Sequence, residues 1–194
     1  DSSVVHVIED WVLEFFAEHE PREQARGGSY RAVLGRVLEQ FGNRLAFTPG
    51  NAEMQAFAES IEYWQPFPDT VPALRRLKQK YQLAVLSNKP HVFARQYVDK
   101  LLAAWTFEKI IGVSGRFPGK PDPAGALSIL SELDLNTEDC LFIGDSGVDM
   151  QTAAAVGIFS VGAAWGLRPE AELLENGCRF LAKHPLEVLS IIPA

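Results

Sequence analysis

The sequence has little cysteine, little positive charge and no long apolar run. Its 194 residues include only 2 cysteines, Cys140 and Cys178, in no zinc-ligand spacing, which excludes a disulfide scaffold and favours a reducing compartment. The 18 Lys and Arg residues against 25 Asp and Glu give a formal net charge of −7. That balance argues against broad binding to nucleic acid or to anionic membranes. No stretch approaches the roughly 18 apolar residues of a spanning helix, so we expect a cytoplasmic protein.

The first third of the chain shows helical periodicity alone. The apolar run Val4–Phe16 is interrupted by His6, Glu9, Asp10 and Glu14. Its apolar residues fall at helical spacing, which predicts an amphipathic helix: Val4, Ile8, Trp11, Val12 and Phe15. Later apolar stripes span residues 30–41 and 54–64 at helical spacing, and packing between helices explains them. Residues 1–66 are therefore predicted to form a small helical domain.

After residue 66 the pattern changes to short apolar runs that alternate with amphipathic helices. The runs are Leu83–Leu86, Ile110–Val113, Leu141–Ile143 and Ile158–Val161. Continuous apolar strands between helices are typical of a parallel sheet that is covered on both faces. Residues 67–194 are thus predicted to form a doubly wound, Rossmann-like α/β core.

Polar residues follow these runs at the edge where such sheets bind ligands. Ser87 and Asn88 follow the first run, Lys120 lies in the loop after the second, and Asp145 and Asp149 follow the third. Taken singly, each has an ordinary interpretation as a helix cap or a surface charge. Together they supply a hydroxyl, a cation and a carboxylate pair, which favours a phosphate site with a divalent cation.

The order Leu86-Ser87-Asn88, then Lys120-Pro121-Asp122-Pro123, then the GDSGVD run at 144–149 resembles the haloacid dehalogenase superfamily of hydrolases. Ser87–Pro90, the run at 144–150 and Ala164–Arg168 look most like its phosphoglycolate phosphatase branch. By this resemblance, residues 1–66 would be that branch's helical cap domain, and the return into the core would lie at Pro66–Asp69.

The resemblance also implies roles for the candidate residues. Ser87 would donate its hydroxyl to the transferring phosphoryl group, Lys120 would neutralise charge, and Asp145, helped by Asp149, would hold Mg²⁺. Asn88 would shape the loop or touch the phosphate. The turn at Arg26, Gly27 and Gly28 lies where such caps present a substrate-reading loop, and an ordinary flexible surface turn is the alternative for it.

The implied activity is a Mg²⁺-dependent phosphatase of small phosphorylated metabolites, with phosphoglycolate as the leading substrate and an aspartyl-phosphate intermediate. The DxDGT-type turn that carries the family's nucleophile is absent from the sequence. Asp1-Ser2 resembles the end of that motif, so the nucleophile and the first, central strand are expected upstream of Asp1. The oligomeric state stays open between a monomer and a homodimer.

The sequence leaves two other functions open. A 2-haloacid dehalogenase has a similar cap and return segment, but its chemistry needs no metal, and the Asp145 and Asp149 pair argues against it. A non-catalytic protein that binds phosphate and metal is supported only by the missing nucleophile motif. A chelator would separate the phosphatase from the dehalogenase.

Overall fold

The computed structural model describes residues 69–192 in full and the backbone of short strands at 5–8, 13–15 and 64–66. The strands are β1 (Val5–Ile8), β2 (Leu13–Phe15), β3 (Trp64–Pro66), β4 (Gln82–Pro90), β5 (Lys109–Val113), β6 (Cys140–Gly144), β7 (Phe159–Ala163) and β8 (Phe180–Ala182). The α-helices are α1 (Thr70–Leu77), α2 (His91–Leu101), α3 (Ala124–Glu132), α4 (Gly147–Val156) and α5 (Glu170–Glu175). Short 3-10 helices cover Thr137–Asp139 and Pro185–Ser190.

The main sheet has 6 strands in the order β5-β4-β1-β6-β7-β8. Every pair of neighbours is parallel, and the register sets Val7 of β1 beside Ala84 of β4 and Phe142 of β6. The chain fills one side of β1 first and the other side afterwards, so the strand order reverses at β1. This arrangement confirms the predicted doubly wound α/β fold, and ligand sites in such sheets lie at this reversal.

The central strand corrects two sequence-based expectations. Val5–Ile8 forms β1 between β4 and β6, and Leu13–Phe15 forms a second strand, so the helix predicted for Val4–Phe16 is wrong. The expectation of a central strand upstream of Asp1 is wrong for the same reason. Valine and isoleucine suit strands, and a place between two ladders gives the backbone partners on both sides. Long-range pairing thus overrides the local helical period.

The chain divides into two compact units, one of Asp1–Leu13 with Pro66–Ala194 and one of Glu14–Gln65. The first 13 residues therefore belong to the sheet-containing unit instead of the predicted cap, because β1 pairs there. Strands β2 and β3 form a separate 2-stranded sheet, so Trp64 begins a strand where the sequence predicted the end of a helix. Residues 16–63, including the remaining helical stripes, lie outside the described residues, and the cap stays a prediction.

The core lies on both faces of the sheet. Leu83, Phe142 and Ile143 are fully buried within their strands, as predicted from the continuous apolar runs. Strand β4 is longer than its apolar run, because it continues through Ser87-Asn88-Lys89-Pro90 before α2 begins at His91. Among the described residues, no helix combines the length and the apolar character needed to cross a membrane.

Candidate phosphate and metal site

The candidate residues of the core converge at the carboxyl edge of the sheet. Ser87 and Asn88 lie near the end of β4, Lys120 lies in the loop between β5 and α3, and Asp145 and Asp149 flank the start of α4. The structure brings Asn88, Lys120 and Asp149 into direct hydrogen-bonded contact.

Lys120 is the centre of this cluster. Its Nζ donates to Asp149 Oδ1 at 2.7 Å and to the backbone carbonyl of Leu86 at 3.2 Å. The side chains of Lys120 and Asp149 are only 1% and 0% exposed. One acceptor belongs to β4 and the other to the turn of helix that follows β6, and β1 lies between these two strands. The contacts of the ammonium therefore span the two strands that flank the central strand.

Burial lowers the pKa of Lys120 below the ordinary lysine value. The carboxylate of Asp149 opposes this shift by attraction and by its hydrogen bond, and Asp145 opposes it by a weaker attraction. Desolvation exceeds these opposing effects. The ammonium is thus poorly solvated, and an incoming anion would encounter a charge that water screens little.

Asp149 uses both of its carboxylate oxygens within the protein. Oδ1 accepts from Lys120, whereas Oδ2 accepts from the backbone N–H of Ser146 at 3.0 Å and from its hydroxyl at 2.6 Å. Ser146 and Asp149 form the capping box that begins α4. This geometry favours a role for Asp149 in holding Lys120, and its sequence-based assignment as a metal ligand stays a prediction that these contacts weaken.

Asp145 is held by the loop after β7. Its side chain is buried, and Oδ2 accepts the backbone N–H of Leu167 at 2.7 Å. A Cβ on Gly166 would lie 2.2 Å from the Cβ of Asp145, so only glycine allows this approach. Helix α5 also supports the start of α4, because Glu172 Oε1 accepts the N–H of Gly147 at 2.8 Å. Two segments therefore fix the loop that carries Asp145.

Ser87 and Asn88 lie on β4, on the other side of the central strand β1 from Asp145. Ser87 is 5% exposed, and its Oγ accepts the backbone N–H of Lys89 at 3.2 Å. The side-chain amide of Asn88 contacts the backbone of Lys120 twice. Arg26, Gly27 and Gly28 lie outside the described residues, so their predicted place near the substrate stays a prediction.

Sequence reasoning missed the contributions of Leu86, Leu167 and Glu172. Leu86 acts through its backbone carbonyl, which every residue has, and Leu167 through its backbone N–H, which every residue except proline has. No side-chain pattern therefore identifies them. Glu172 lies on an exposed-looking acidic helix, where charge alone indicates nothing. Gly166 in the Trp-Gly-Leu run was the one available signal, since a glycine beside a predicted site permits a close approach.

Comparisons with known proteins found similar sequences and similar folds. The chain is 36% identical to a phosphoglycolate phosphatase of Pseudomonas putida strain KT2440 over 114 residues, which cover 58% of this chain and 42% of that protein. It is 30% identical to a phosphoglycolate phosphatase of Aquifex aeolicus over 144 residues, which cover 72% and 65%. The chain spans about half the length of the Pseudomonas phosphoglycolate phosphatases that it matches, with 42%, 45% and 55% of three of them covered.

A solved haloacid dehalogenase-like protein of Streptococcus pneumoniae has the same fold, with a TM-score of 0.73 at 20% identity over 97% of this chain and 98% of that one. A subfamily IA hydrolase of Geobacter sulfurreducens superposes with a TM-score of 0.65 at 16% identity, covering 99% and 97%. The family model of the haloacid dehalogenase-like hydrolases matches residues 4–157. This chain belongs to the haloacid dehalogenase-like hydrolase family.

Proposed function

We propose that this protein is a Mg²⁺-dependent phosphatase of small phosphorylated metabolites, with phosphoglycolate as the leading substrate. The observation that carries the proposal is the buried Lys120–Asp149 ion pair. Ser87 and Asp145 lie at the same edge of the sheet as this pair, so a hydroxyl and a further carboxylate accompany the buried cation. Phosphoryl transfer needs positioning and charge stabilisation more than covalent chemistry from the protein, and this cluster supplies both.

Lys120 would bind and stabilise the phosphoryl oxygens. The chain carries a net charge of −7, so an anionic substrate gains little from the overall field and needs a local cation. Asp149 and the Leu86 carbonyl fix the position of that cation. Ser87, near the end of β4, would donate a hydrogen bond from its hydroxyl to another phosphoryl oxygen.

Asp145 would hold the magnesium ion. Mg²⁺ prefers oxygen ligands and is commonly held by one or two carboxylates together with substrate phosphate and water. Asp145 offers a buried carboxylate whose orientation the Leu167 N–H fixes. In residues 69–192, no three His, Cys, Asp or Glu side chains cluster as a metal cage. When bound, the ion would neutralise charge that develops on the phosphoryl group.

The names of the relatives support phosphoglycolate as the substrate. The matched proteins of P. putida and A. aeolicus are phosphoglycolate phosphatases, at 36% and 30% identity. The family reaction also needs a carboxylate nucleophile. Since the sequence holds no DxDGT-type motif, we assign that role to no residue of the chain.

The test is release of phosphate from phosphoglycolate by the natural protein, with Mg²⁺ and with an excess of EDTA. The proposal predicts hydrolysis that EDTA abolishes and added Mg²⁺ restores. Halide release from 2-chloropropionate that persists in EDTA would instead establish a dehalogenase. Binding of orthophosphate without hydrolysis of any phosphomonoester would establish a non-catalytic binding protein. Either of the last two results overturns the proposal.

A further inference from the structure

We infer that Asn88 is a positioning residue that holds Lys120 in place, instead of a ligand of the phosphate. This inference deepens the proposed function and rests on it for its consequence in catalysis. The contacts themselves stand apart from it, because they lie wholly within the protein.

The side-chain amide of Asn88 hydrogen-bonds to both backbone groups of Lys120, in the loop between β5 and α3. We call this pair of hydrogen bonds the Asn88 bracket. Asn88 Oδ1 accepts the backbone N–H of Lys120 at 2.6 Å, and Asn88 Nδ2 donates to the backbone carbonyl of Lys120 at 3.1 Å. A primary amide is suited to this, because it carries a donor and an acceptor side by side. Both polar atoms of Asn88 are therefore engaged with the backbone of the residue whose ammonium marks the site.

Gly119 allows this contact. A Cβ at that position would lie 3.1 Å from Asn88 Oδ1 and 3.3 Å from Val113 Cγ2, which is tighter than an ordinary contact. The absence of a side chain at Gly119 lets the loop approach the end of β4 closely. Gly119 directly precedes Lys120, so the loop approaches Asn88 most closely beside the residue to which Asn88 hydrogen-bonds.

Strand β4 consequently holds both the backbone and the ammonium group of Lys120. Asn88 fixes the backbone, and the Leu86 carbonyl accepts from Nζ. A lysine side chain has four rotatable bonds, so fixing the amine alone leaves many backbone positions open, and fixing both ends removes that freedom. The ammonium is thereby held beside Asp149 before any anion arrives. Such advance positioning is the property that phosphoryl transfer rewards.

The experiment measures how exposed Lys120 becomes when the bracket is removed. Wild type, Asn88→Ala and the control Asn136→Ala are treated with acetic anhydride, and lysine labelling is read by mass spectrometry. Asn136 is exposed, and its amide donates only to Asp139, far along the chain from Lys120. Loss of two hydrogen bonds predicts that Asn88→Ala raises the labelling of Lys120 by about tenfold. The control is expected to leave it unchanged.

Lys89 serves as an internal reference in the same samples. It is the next residue after Asn88, is 8% exposed, and places its ammonium over the ring of Tyr97. A selective rise at Lys120 supports positioning. A parallel rise at Lys89 and Lys120 would mean general unfolding of this edge, and no rise at Lys120 would mean that Asn88 does not hold it. Both of these results overturn the inference.

Turnover by the natural protein separates this inference from the proposed function. Asn88→Ala is expected to lower kcat for phosphoglycolate by about tenfold or more, since small displacements of a catalytic group are costly. The KM is expected to change less. A wild-type protein that hydrolyses no phosphoester, but shows selective labelling of Lys120 in Asn88→Ala, would refute the proposed function and leave the positioning role supported. Unchanged labelling in an active enzyme would do the reverse.

Discussion

Replacing Lys120 by methionine removes one partner of a fully buried ion pair and leaves the other behind. The two charges are 2.7 Å apart, and their side chains are 1% and 0% exposed. At an effective dielectric constant of about 20, their attraction is about 6 kcal/mol. Burial opposes this attraction, and the lowered pKa of Lys120 shows that desolvation is the larger effect on the lysine. The pair as a whole therefore contributes far less than its Coulomb energy.

Lys120→Met is nevertheless expected to lower the free energy of unfolding by about 3–5 kcal/mol, because it leaves the Asp149 carboxylate buried without its cation. The double variant Lys120→Met, Asp149→Asn leaves no buried charge in the pair, and its loss is expected to be much smaller than the sum of the two single losses. Urea unfolding of the 194-residue chain, followed by circular dichroism, measures all three.

A matched control uses the exposed pair of Lys183 and Glu170, whose side chains are 54% and 48% exposed. Lys183→Met is expected to cost at most about 1 kcal/mol, as exposed pairs generally do. If Lys120→Met proved as harmless as Lys183→Met, the ammonium of Lys120 would not be the buried partner of Asp149, and the reasoning about the site would fail.

Further predictions concern pH and the loop around Asp145. Burial lowers the pKa of Lys120 from 10.5. Since the ammonium loses its charge as pH rises through that lowered pKa, orthophosphate binding is expected to weaken at a lower pH than an ordinary lysine would give. Isothermal titration calorimetry at several pH values measures this. Between the lowered pKa and 10.5 the unfolded chain binds the proton more tightly, so the free energy of unfolding is expected to rise with pH there. Gly166→Ala is expected to destabilise the chain by about 1–3 kcal/mol, since its methyl group would overlap Asp145. Gly115→Ala, where a Cβ has nothing within 4 Å, is its control, and equal midpoints of urea unfolding for the two would contradict the close approach.

The apolar runs after residue 82 predicted their strands correctly, whereas the helix predicted for Val4–Phe16 was wrong. Apolar runs such as Leu141–Ile143 are buried on both faces, and that burial leaves a continuous signal in the sequence. The segment Val5–Ile8 lies in a run with helical spacing, but it pairs with strands that lie more than 70 residues away in the chain. No local period can report such a partner.

The candidate site shows the same division. Ser87, Lys120 and Asp145 could be found because polar residues after buried strands must lie at one edge of a parallel sheet. The engagement of both oxygens of Asp149 could not, because it depends on the exact turn that begins α4. The bracket made by Asn88 likewise depends on how closely two loops approach, and only the fold determines that distance.

The central claim is that this edge of the sheet binds a phosphoryl group with a magnesium ion at Asp145. It is tested most directly by the Mg²⁺ dependence of phosphoglycolate hydrolysis in the natural protein and in Asp145→Asn. The asparagine keeps the shape and an acceptor for the Leu167 N–H, so the fold is expected to persist, which a thermal unfolding curve checks. The account predicts that the variant loses about 100-fold or more in turnover. It also predicts that Mg²⁺ concentrations that activate the wild-type protein no longer activate the variant. A variant that hydrolyses phosphoglycolate at the wild-type rate, with the same dependence on Mg²⁺, would contradict it.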